Sequence, residues 1–233
     1  MPKQVPNLGE RRSCRFGVWS ARVIPILKTS GRLLEHIGRY KANFSKGGLM
    51  VPETRLVAGL LLQGVDRERW EQAIRVENVL AKRSPSTAIT KANLIRARLR
   101  PMTSSLWELI RDGSRPVATQ AVLAATVVYS PLLGDFLDLV VRDLYRHLER
   151  QLKRAHWDQY VDDCQMRDPK MPRWNESTRT TLRTRVFGML RESGYIAAGS
   201  AHALQPLEIS PEVVTVLREA EQWYALRCIQ LTD

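Results

Sequence analysis

Arginine and hydroxyl side chains are concentrated in residues 171–196, at spacings that suit contact with DNA. If this segment is a helix with about 100° per residue and Leu182 points into a core, small and hydroxylated side chains point away from that core. Arg183 and Arg185 then lie on opposite flanks. Guanidinium and hydroxyl groups bind phosphates, arginine also pairs with guanine, and small side chains let a helix approach closely. The predicted DNA contacts of this segment are Arg173, Ser177, Thr180, Thr181, Arg183, Thr184, Arg185 and Arg191.

The arginine-rich segment has the caps and the apolar periodicity of a single helix. Ser177 or Thr178 can accept hydrogen bonds from the first free amides, and Gly194 provides a left-handed stop. One side is apolar at helical spacing, through Leu182, Val186, Met189 and Leu190. An ordinary solvated amphipathic helix is the alternative interpretation of the same pattern.

The residues around this helix predict a winged-helix-like module over residues 156–233. A short helix near residues 157–166 and a proline-containing turn precede it. After it, Tyr195-Ile196 and Leu207–Ile209 predict two short strands around a loop, and Ser210-Pro211 predicts the start of a further helix. In winged-helix proteins the helix enters the major groove and the hairpin contacts the flanking backbone.

Positive charge is clustered along the chain, which favours a polyanionic partner. The 233 residues carry a formal net charge of +12. Residues 1–46 contain ten basic and two acidic side chains, residues 66–115 eleven and six, and residues 173–193 five and two. A second polyanion-binding surface is predicted from a basic N-terminal arm, residues 1–29, and a basic helix that ends at Pro101. Its residues are Arg11, Arg12, Arg15, Lys91, Arg96, Arg98 and Arg100. A solvated charged face is the alternative for this helix.

Residues 30–150 predict a bundle of helices. Helix starts are expected at Pro52, Asp66, Thr87 and Thr103 or Ser104. Residues 116–134 contain no charged side chain, which approaches the length of a membrane span. Gln120, hydroxyl side chains and the Ser130-Pro131 break favour a pair of buried helices instead. The predicted fold class is mostly α, and a cytoplasmic protein without membrane contact is expected.

The sequence lacks the patterns of catalytic and metal-binding sites. Its four histidines have no second ligand at metal-binding spacing, and Asp162-Asp163 is typical of a solvated helix edge. Ser45–Gly48 does not have the residue order of a phosphate-binding loop. Three widely spaced cysteines indicate a reducing compartment. No catalytic residue, cofactor or metal is therefore expected.

Several segments, taken in order, resemble the BrxA proteins of bacterial BREX phage-defence loci. The resemblance begins with Tyr40–Met50 and Glu53–Leu62 and ends near Ile196. The pieces between are Asn78–Ser84, Thr87-Ala88, Arg98-Leu99, Asp135-Phe136, Val140-Val141, Trp157, Trp174–Thr178 and Leu190–Tyr195. The resemblance implies a small, mostly helical, non-enzymatic accessory protein that binds DNA, with a bundle similar to the transcription antitermination factor NusB. It also implies that the protein acts together with the methyltransferase, phosphatase-like and ATPase components of the system.

The sequence therefore favours a protein that binds double-stranded DNA largely through phosphates. Two alternatives stay open. The first is an interaction scaffold that recruits other defence components, with the basic surface meeting an acidic partner. The second is an RNA-binding protein, because the NusB fold is associated with RNA.

Overall fold

The part of the chain that the structure describes is mostly helical. The computed structural model describes residues 38–231, and these contain eleven α-helices. They are α1 Val51–Leu62, α2 Arg67–Glu71, α3 Pro85–Leu99, α4 Ser104–Asp112, α5 Arg115–Tyr129, α6 Pro131–Asp135, α7 Arg142–Arg146, α8 Arg154–Arg167, α9 Glu176–Ser193, α10 Pro211–Glu219 and α11 Trp223–Ile229. α2 continues into a π-helical turn, Gln72–Val76, and a second π-helical segment, Phe136–Val141, joins α6 to α7. The predicted all-α class is confirmed.

The uncharged stretch of the sequence forms the central helix, α5. Its residues are buried from Val117 to Val127, and it contacts helices α1, α3, α4, α6, α9, α10 and α11. Ser114 caps its first turn, and its last turn is followed by the predicted break at Ser130-Pro131. None of the helices within residues 38–231 is by itself long and apolar enough to cross a membrane.

The predicted helix starts are confirmed at three places and wrong at one. α1 begins at Val51 with Pro52 in its first turn, Asp66 caps α2 by accepting a hydrogen bond from the Arg69 amide at 2.7 Å, and Thr103 precedes α4. α3 begins earlier than predicted. Its cap is Ser84, followed by Pro85 at the first helical position, which is favourable because proline lacks the amide that would be unpaired there.

A buried carboxylate joins three parts of the fold. Asp135 in α6 accepts hydrogen bonds from the Tyr40 hydroxyl at 2.8 Å and the Tyr224 hydroxyl at 2.7 Å, and it forms an ion pair with Arg39 at 2.8 Å. These contacts attach the segment before α1 and the C-terminal helix α11 to the centre of the molecule. The described residues, 38–231, belong to one compact unit with one hydrophobic core. The predicted arm, residues 1–29, lies outside the described residues.

The predicted hairpin is not formed by strands, since residues 38–231 contain no β-strand. Two isolated antiparallel bridges are present instead, between Gln151 and Ala203 and between Ile196 and Leu204. Leu207–Ile209, the predicted second strand, is wrong as a strand because α5 binds its backbone. The Gln120 side chain donates to the Glu208 carbonyl at 3.1 Å and accepts from the Ser210 amide at 2.8 Å.

Candidate nucleic-acid interface

α9 is one amphipathic helix whose apolar side faces the core, as predicted. The side chains on this side are Leu182, Val186, Phe187, Met189 and Leu190, all buried. Gly194 ends the helix in the left-handed conformation, with φ at 95°. The predicted caps Ser177 and Thr178 are wrong, because the N-cap is Asn175, whose side chain accepts a hydrogen bond from the Thr178 amide at 2.9 Å.

Two arginines of α9 are bound to carboxylates of α8 and are called the inner arginines. Arg179 pairs with Asp162 at 2.7 Å, and Arg183 pairs with Asp158 at 2.7 Å. Both arginine side chains are only 19% exposed. Because the order of the partners is reversed, α8 and α9 run antiparallel, with one pair per helical turn.

Arg183 is therefore a structural residue rather than the free DNA contact that was predicted. Its guanidinium also lies within 3.4 Å of the Thr180 hydroxyl, which donates to Glu176 at 3.1 Å. Thr180 remains exposed, but its hydroxyl already has two partners within the helix. The sequence predicted a solvated helix edge at Asp162-Asp163. The Asp162 carboxylate instead binds Arg179.

The surface of α9 opposite the core carries small side chains and one arginine, and we call it the outer stripe. At about 100° per residue its members fall within a sector of about 80°. They are Ser177, Thr181, Thr184, Gly188 and Arg191, of which Thr181 and Gly188 are half-buried and the others exposed. A Cβ atom added to Gly188 would meet no atom within 4 Å outside its own helix, so the surface is open there. A ligand can thus approach the helix closely along this stripe.

One flank of the outer stripe is positively charged through α3. Partial burial lowers the pKa of the Lys91 ammonium, and the neighbouring charge of Arg185 lowers it further. Lys91 also donates a hydrogen bond to the Lys46 carbonyl. The Glu53 carboxylate lies near Lys91, but it is bound by Lys82 at 2.6 Å. Two residues predicted from separate parts of the sequence, Lys91 and Arg185, are thus brought together.

The other flank is formed by the start of α8 and the loop after α9. His202 lies in this loop, with its ring centroid 4.7 Å from that of Phe187 in α9. Slight burial lowers the pKa of His202, and the charges of Arg191 and Arg154 lower it further. The Leu152 amide donates to the His202 carbonyl at 3.0 Å, which holds the loop against the start of α8.

Arg154 and His202 were not predicted as site residues. The sequence signal was the basic pair Lys153-Arg154 at the start of α8, but nothing in the local sequence connects this pair with Arg191 and His202. Arg191, Arg185 and Arg154 are exposed, and none of them pairs with a carboxylate within residues 38–231. We call Arg185 and Arg191 the outer arginines.

The predicted basic residues of α3 do not form one surface. Arg98 is wrong as a DNA contact, because it is 2% exposed and its guanidinium donates to the Gly48 carbonyl at 2.7 Å and the Gly47 carbonyl at 3.1 Å. Arg96 and Arg100 are exposed on the side of α3 away from Lys91. The structure therefore separates Lys91, which lies beside Arg185, from these two arginines.

The remaining predicted contacts lie at the edge of the site or beyond the described residues. Arg173 is exposed in the turn that precedes α9. Arg11, Arg12 and Arg15 lie outside the described residues. Within residues 38–231 no group of three His, Cys, Asp or Glu side chains is arranged to hold a metal ion.

A family model described as BrxA matches residues 38–221. The chain belongs to the BrxA family. This confirms the resemblance seen in the sequence and extends it beyond Ile196, through α10.

Named relatives support the same assignment. The chain is 50% identical over 194 residues to the BREX protein BrxA of Paramagnetospirillum magneticum, a match that covers 83% of this chain and 98% of that relative. It is 32% identical over 176 residues to the BREX protein BrxA of Escherichia coli O9:H4, covering 76% of this chain and 83% of that relative.

A solved structure shares the fold. The crystal structure of an uncharacterized protein from Magnetospirillum magneticum matches with a TM-score of 0.77 and 48% sequence identity. The match covers 83% of this chain and 100% of that chain. The helical arrangement described above is therefore similar to that of an experimentally determined relative.

Proposed function

We propose that this member of the BrxA family is a non-enzymatic accessory protein of a BREX phage-defence system that binds double-stranded DNA. The names of its relatives support the place in the BREX system. The observation that carries the DNA-binding proposal is the outer stripe of α9, bordered by cations from α3 on one flank and from α8 and its neighbouring loop on the other.

The electrostatics of the two flanks favour a polyanionic ligand. Lys91 and Arg185 repel each other in the free protein, as do Arg154, Arg191 and any protonated form of His202. A phosphate placed between two such cations replaces repulsion with attraction and releases counterions from the nucleic acid. The clusters lie on opposite flanks of the helix, so they suit the two phosphate backbones that border a groove.

The shape of α9 favours a duplex over a single strand. A helix of 18 residues is about 27 Å long, and the major groove of B-DNA is about 12 Å wide, which admits an α-helix. The outer stripe contains no aromatic side chain on which unpaired bases could stack. Hydroxyl groups and the outer arginines can instead bind phosphates and base edges.

We further propose that the loop around His202 acts as the wing of a winged-helix-like module. It follows α9, is closed by the Ile196–Leu204 bridge, and is attached to the segment just before α8 by the Gln151–Ala203 bridge. A wing contacts the phosphate backbone beside the major groove. Arg150 and Lys153, exposed in the segment just before α8, would extend that contact.

The decisive experiment is a salt titration of the full chain with three fluorescent ligands of equal length: duplex DNA, single-stranded DNA and RNA. If about six cations meet phosphates, the logarithm of the duplex affinity should fall against the logarithm of salt concentration with a slope of about −5. Tightest binding to the duplex is expected. Stronger binding to RNA at equal salt would replace this proposal with the NusB-like alternative.

Matched variants test whether α9 is the surface used. R185A/R191A should weaken duplex binding about 30-fold and reduce the salt slope by about two units. The control R67A/R218A removes the same charge from exposed positions on α2 and α10 and should change affinity less than about threefold. Equal loss in the two double variants would show a nonspecific charge effect and contradict this site.

A further inference from the structure

The structure contains a basic groove on the side of α3 away from Lys91. This groove has a volume of about 610 Å³ and lies between the ends of α1 and α4 and the C-terminal half of α3. Its lining is Leu61, Asn93, Arg96, Ala97, Arg100 and Trp107. We call it the α3 groove, and we propose that it binds an acidic segment of a protein partner that carries at least one large apolar side chain.

The charge of the lining selects the partner. The lining includes two guanidinium groups and no carboxylate, and neither Arg96 nor Arg100 forms an ion pair within residues 38–231. Because they are four residues apart on α3, their side chains lie one helical turn from each other on the same face. Two carboxylates at a similar separation, on a helix or an extended segment, would complement them.

Arg96 is held in an orientation that suits a carboxylate. Its guanidinium carbon lies 4.7 Å from the ring centroid of Trp70, which is itself buried. Stacking on an aromatic face covers one face of the guanidinium and leaves its N–H edge available for two parallel hydrogen bonds. The arginine is therefore positioned before a partner arrives, which reduces the entropy lost on binding.

The floor of the α3 groove is apolar and favours a protein segment over nucleic acid. Leu61 and Ala97 are half-buried, as is Trp107, whose indole N–H donates to the Leu99 carbonyl at 3.0 Å. With that polar atom bound inside the fold, the ring presents apolar surface to the groove. A phosphate placed against this floor would lose water without gaining a partner, whereas a leucine or phenylalanine side chain would bury apolar area.

A second groove on the same molecule lacks the excess of positive charge that the α3 groove has. It lies beside α2 and is lined by Arg67, Glu68, Glu71, Gln72, Arg75 and Val76. Its charges are balanced, and Arg75 pairs with Glu71. The α3 groove differs because its cations have no acidic neighbours in the lining.

The α3 groove is separate from the outer stripe of α9. At about 100° per residue, the groove residues of α3 lie roughly opposite Lys91 around the helix axis. Binding of an acidic partner in the groove therefore leaves Lys91 and Arg185 accessible. This inference does not depend on DNA binding, and it assigns Arg96 and Arg100 to a protein partner.

The test uses the full chain and an array of immobilised 15-residue peptides that tile the other proteins of its BREX system. The bound peptides are expected to be acidic and to contain a large apolar residue. R96A/R100A should lower their retention at least about tenfold, while R185A/R191A retains them at the wild-type level. R100E, which leaves the Arg96–Trp70 contact intact, should show the same loss if R96A/R100A folds poorly.

Three outcomes would overturn the proposal. The bound peptides could show no acidic enrichment, or no peptide could be retained. Alternatively, R96A/R100A could weaken duplex DNA binding as strongly as R185A/R191A does, which would assign the groove arginines to nucleic acid. Circular dichroism of each variant provides the folding control.

Discussion

The two ends of α9 use arginine in opposite ways. In the N-terminal half, Arg179 and Arg183 bind carboxylates of α8 and are largely covered. In the C-terminal half, Arg185 and Arg191 are exposed, and their charged neighbours include the cations Lys91 and Arg154. The residue type and the helix are the same in both halves. The halves differ because α8 places carboxylates beside the N-terminal half only.

The comparison shows that a count of arginines in the sequence overestimates the number that are available to a ligand. The inner arginines connect two antiparallel helices, and their charge is largely neutralised by carboxylates. The outer arginines form no ion pair with a carboxylate within residues 38–231. Arg98 of α3 is also unavailable to a ligand, because it is buried and binds backbone carbonyls.

The largest effect is expected for Arg98→Met, which should lower the free energy of unfolding by about 3 kcal/mol because two buried carbonyl groups lose their donor. Urea unfolding measures the change. Arg100→Met, two residues further and exposed, should cost less than about 0.5 kcal/mol. Similar stability of the two variants would show that burial does not separate the two kinds of arginine.

The next effect comes from the inner arginines. R179A/R183A should lower the free energy of unfolding by about 1 kcal/mol, because two partly exposed ion pairs are lost. Its duplex affinity should stay within about threefold of wild type, since these charges are already neutralised. R185A/R191A should show the reverse: weak DNA binding with nearly unchanged stability. If R179A/R183A binds DNA as poorly as R185A/R191A, the division of α9 into two halves is wrong.

Removing the carboxylates that pair with the inner arginines should make more positive charge available to DNA. D158N/D162N removes the ion pairs of Arg179 and Arg183 and two negative charges beside α9, so duplex affinity should rise by about threefold. Fluorescence anisotropy at fixed salt measures this change. D163N is the control, because the Asp163 carboxylate lies on the same helix and forms no ion pair with an arginine in the described residues. It should change affinity by less than about twofold. A decrease in affinity for D158N/D162N would contradict the proposed docking surface.

The smallest effect concerns His202. Its pKa is lowered in the free protein by slight burial and by the charges of Arg191 and Arg154. Phosphates bound at this cluster would favour the protonated ring, so DNA binding should raise the pKa and take up a proton. Duplex affinity should therefore increase by about twofold as the pH falls from 7.5 to 6. NMR titration of the imidazole with and without DNA measures the shift. His202→Gln should lose this pH dependence, and an unchanged pKa in the complex would place the DNA elsewhere.

Much of α9 could be predicted from local sequence, because caps and periodicity act within a few residues. The apolar side and the Gly194 stop were predicted correctly. The N-cap was assigned two or three residues too late, because Asn175, Ser177 and Thr178 all have capping side chains. Asp158 and Asp162 share a spacing of four residues with Arg179 and Arg183. The equal spacing could have indicated that α8 and α9 pack together through these ion pairs. Assigning each aspartate to its arginine, however, requires knowing that the two helices are antiparallel.

The sequence by itself determined the helical class, the central apolar helix and the amphipathic character of α9, because these depend on periodicity and composition. Membership in the BrxA family followed instead from ordered segments that resemble that family. Only the tertiary structure decided which cations are free. Whether an arginine meets a carboxylate, a carbonyl or solvent depends on contacts between residues far apart in the chain. Arg185 influences Lys91, and Arg154 and Arg191 both influence His202, because helix packing, and not local spacing, brings those charges near one another.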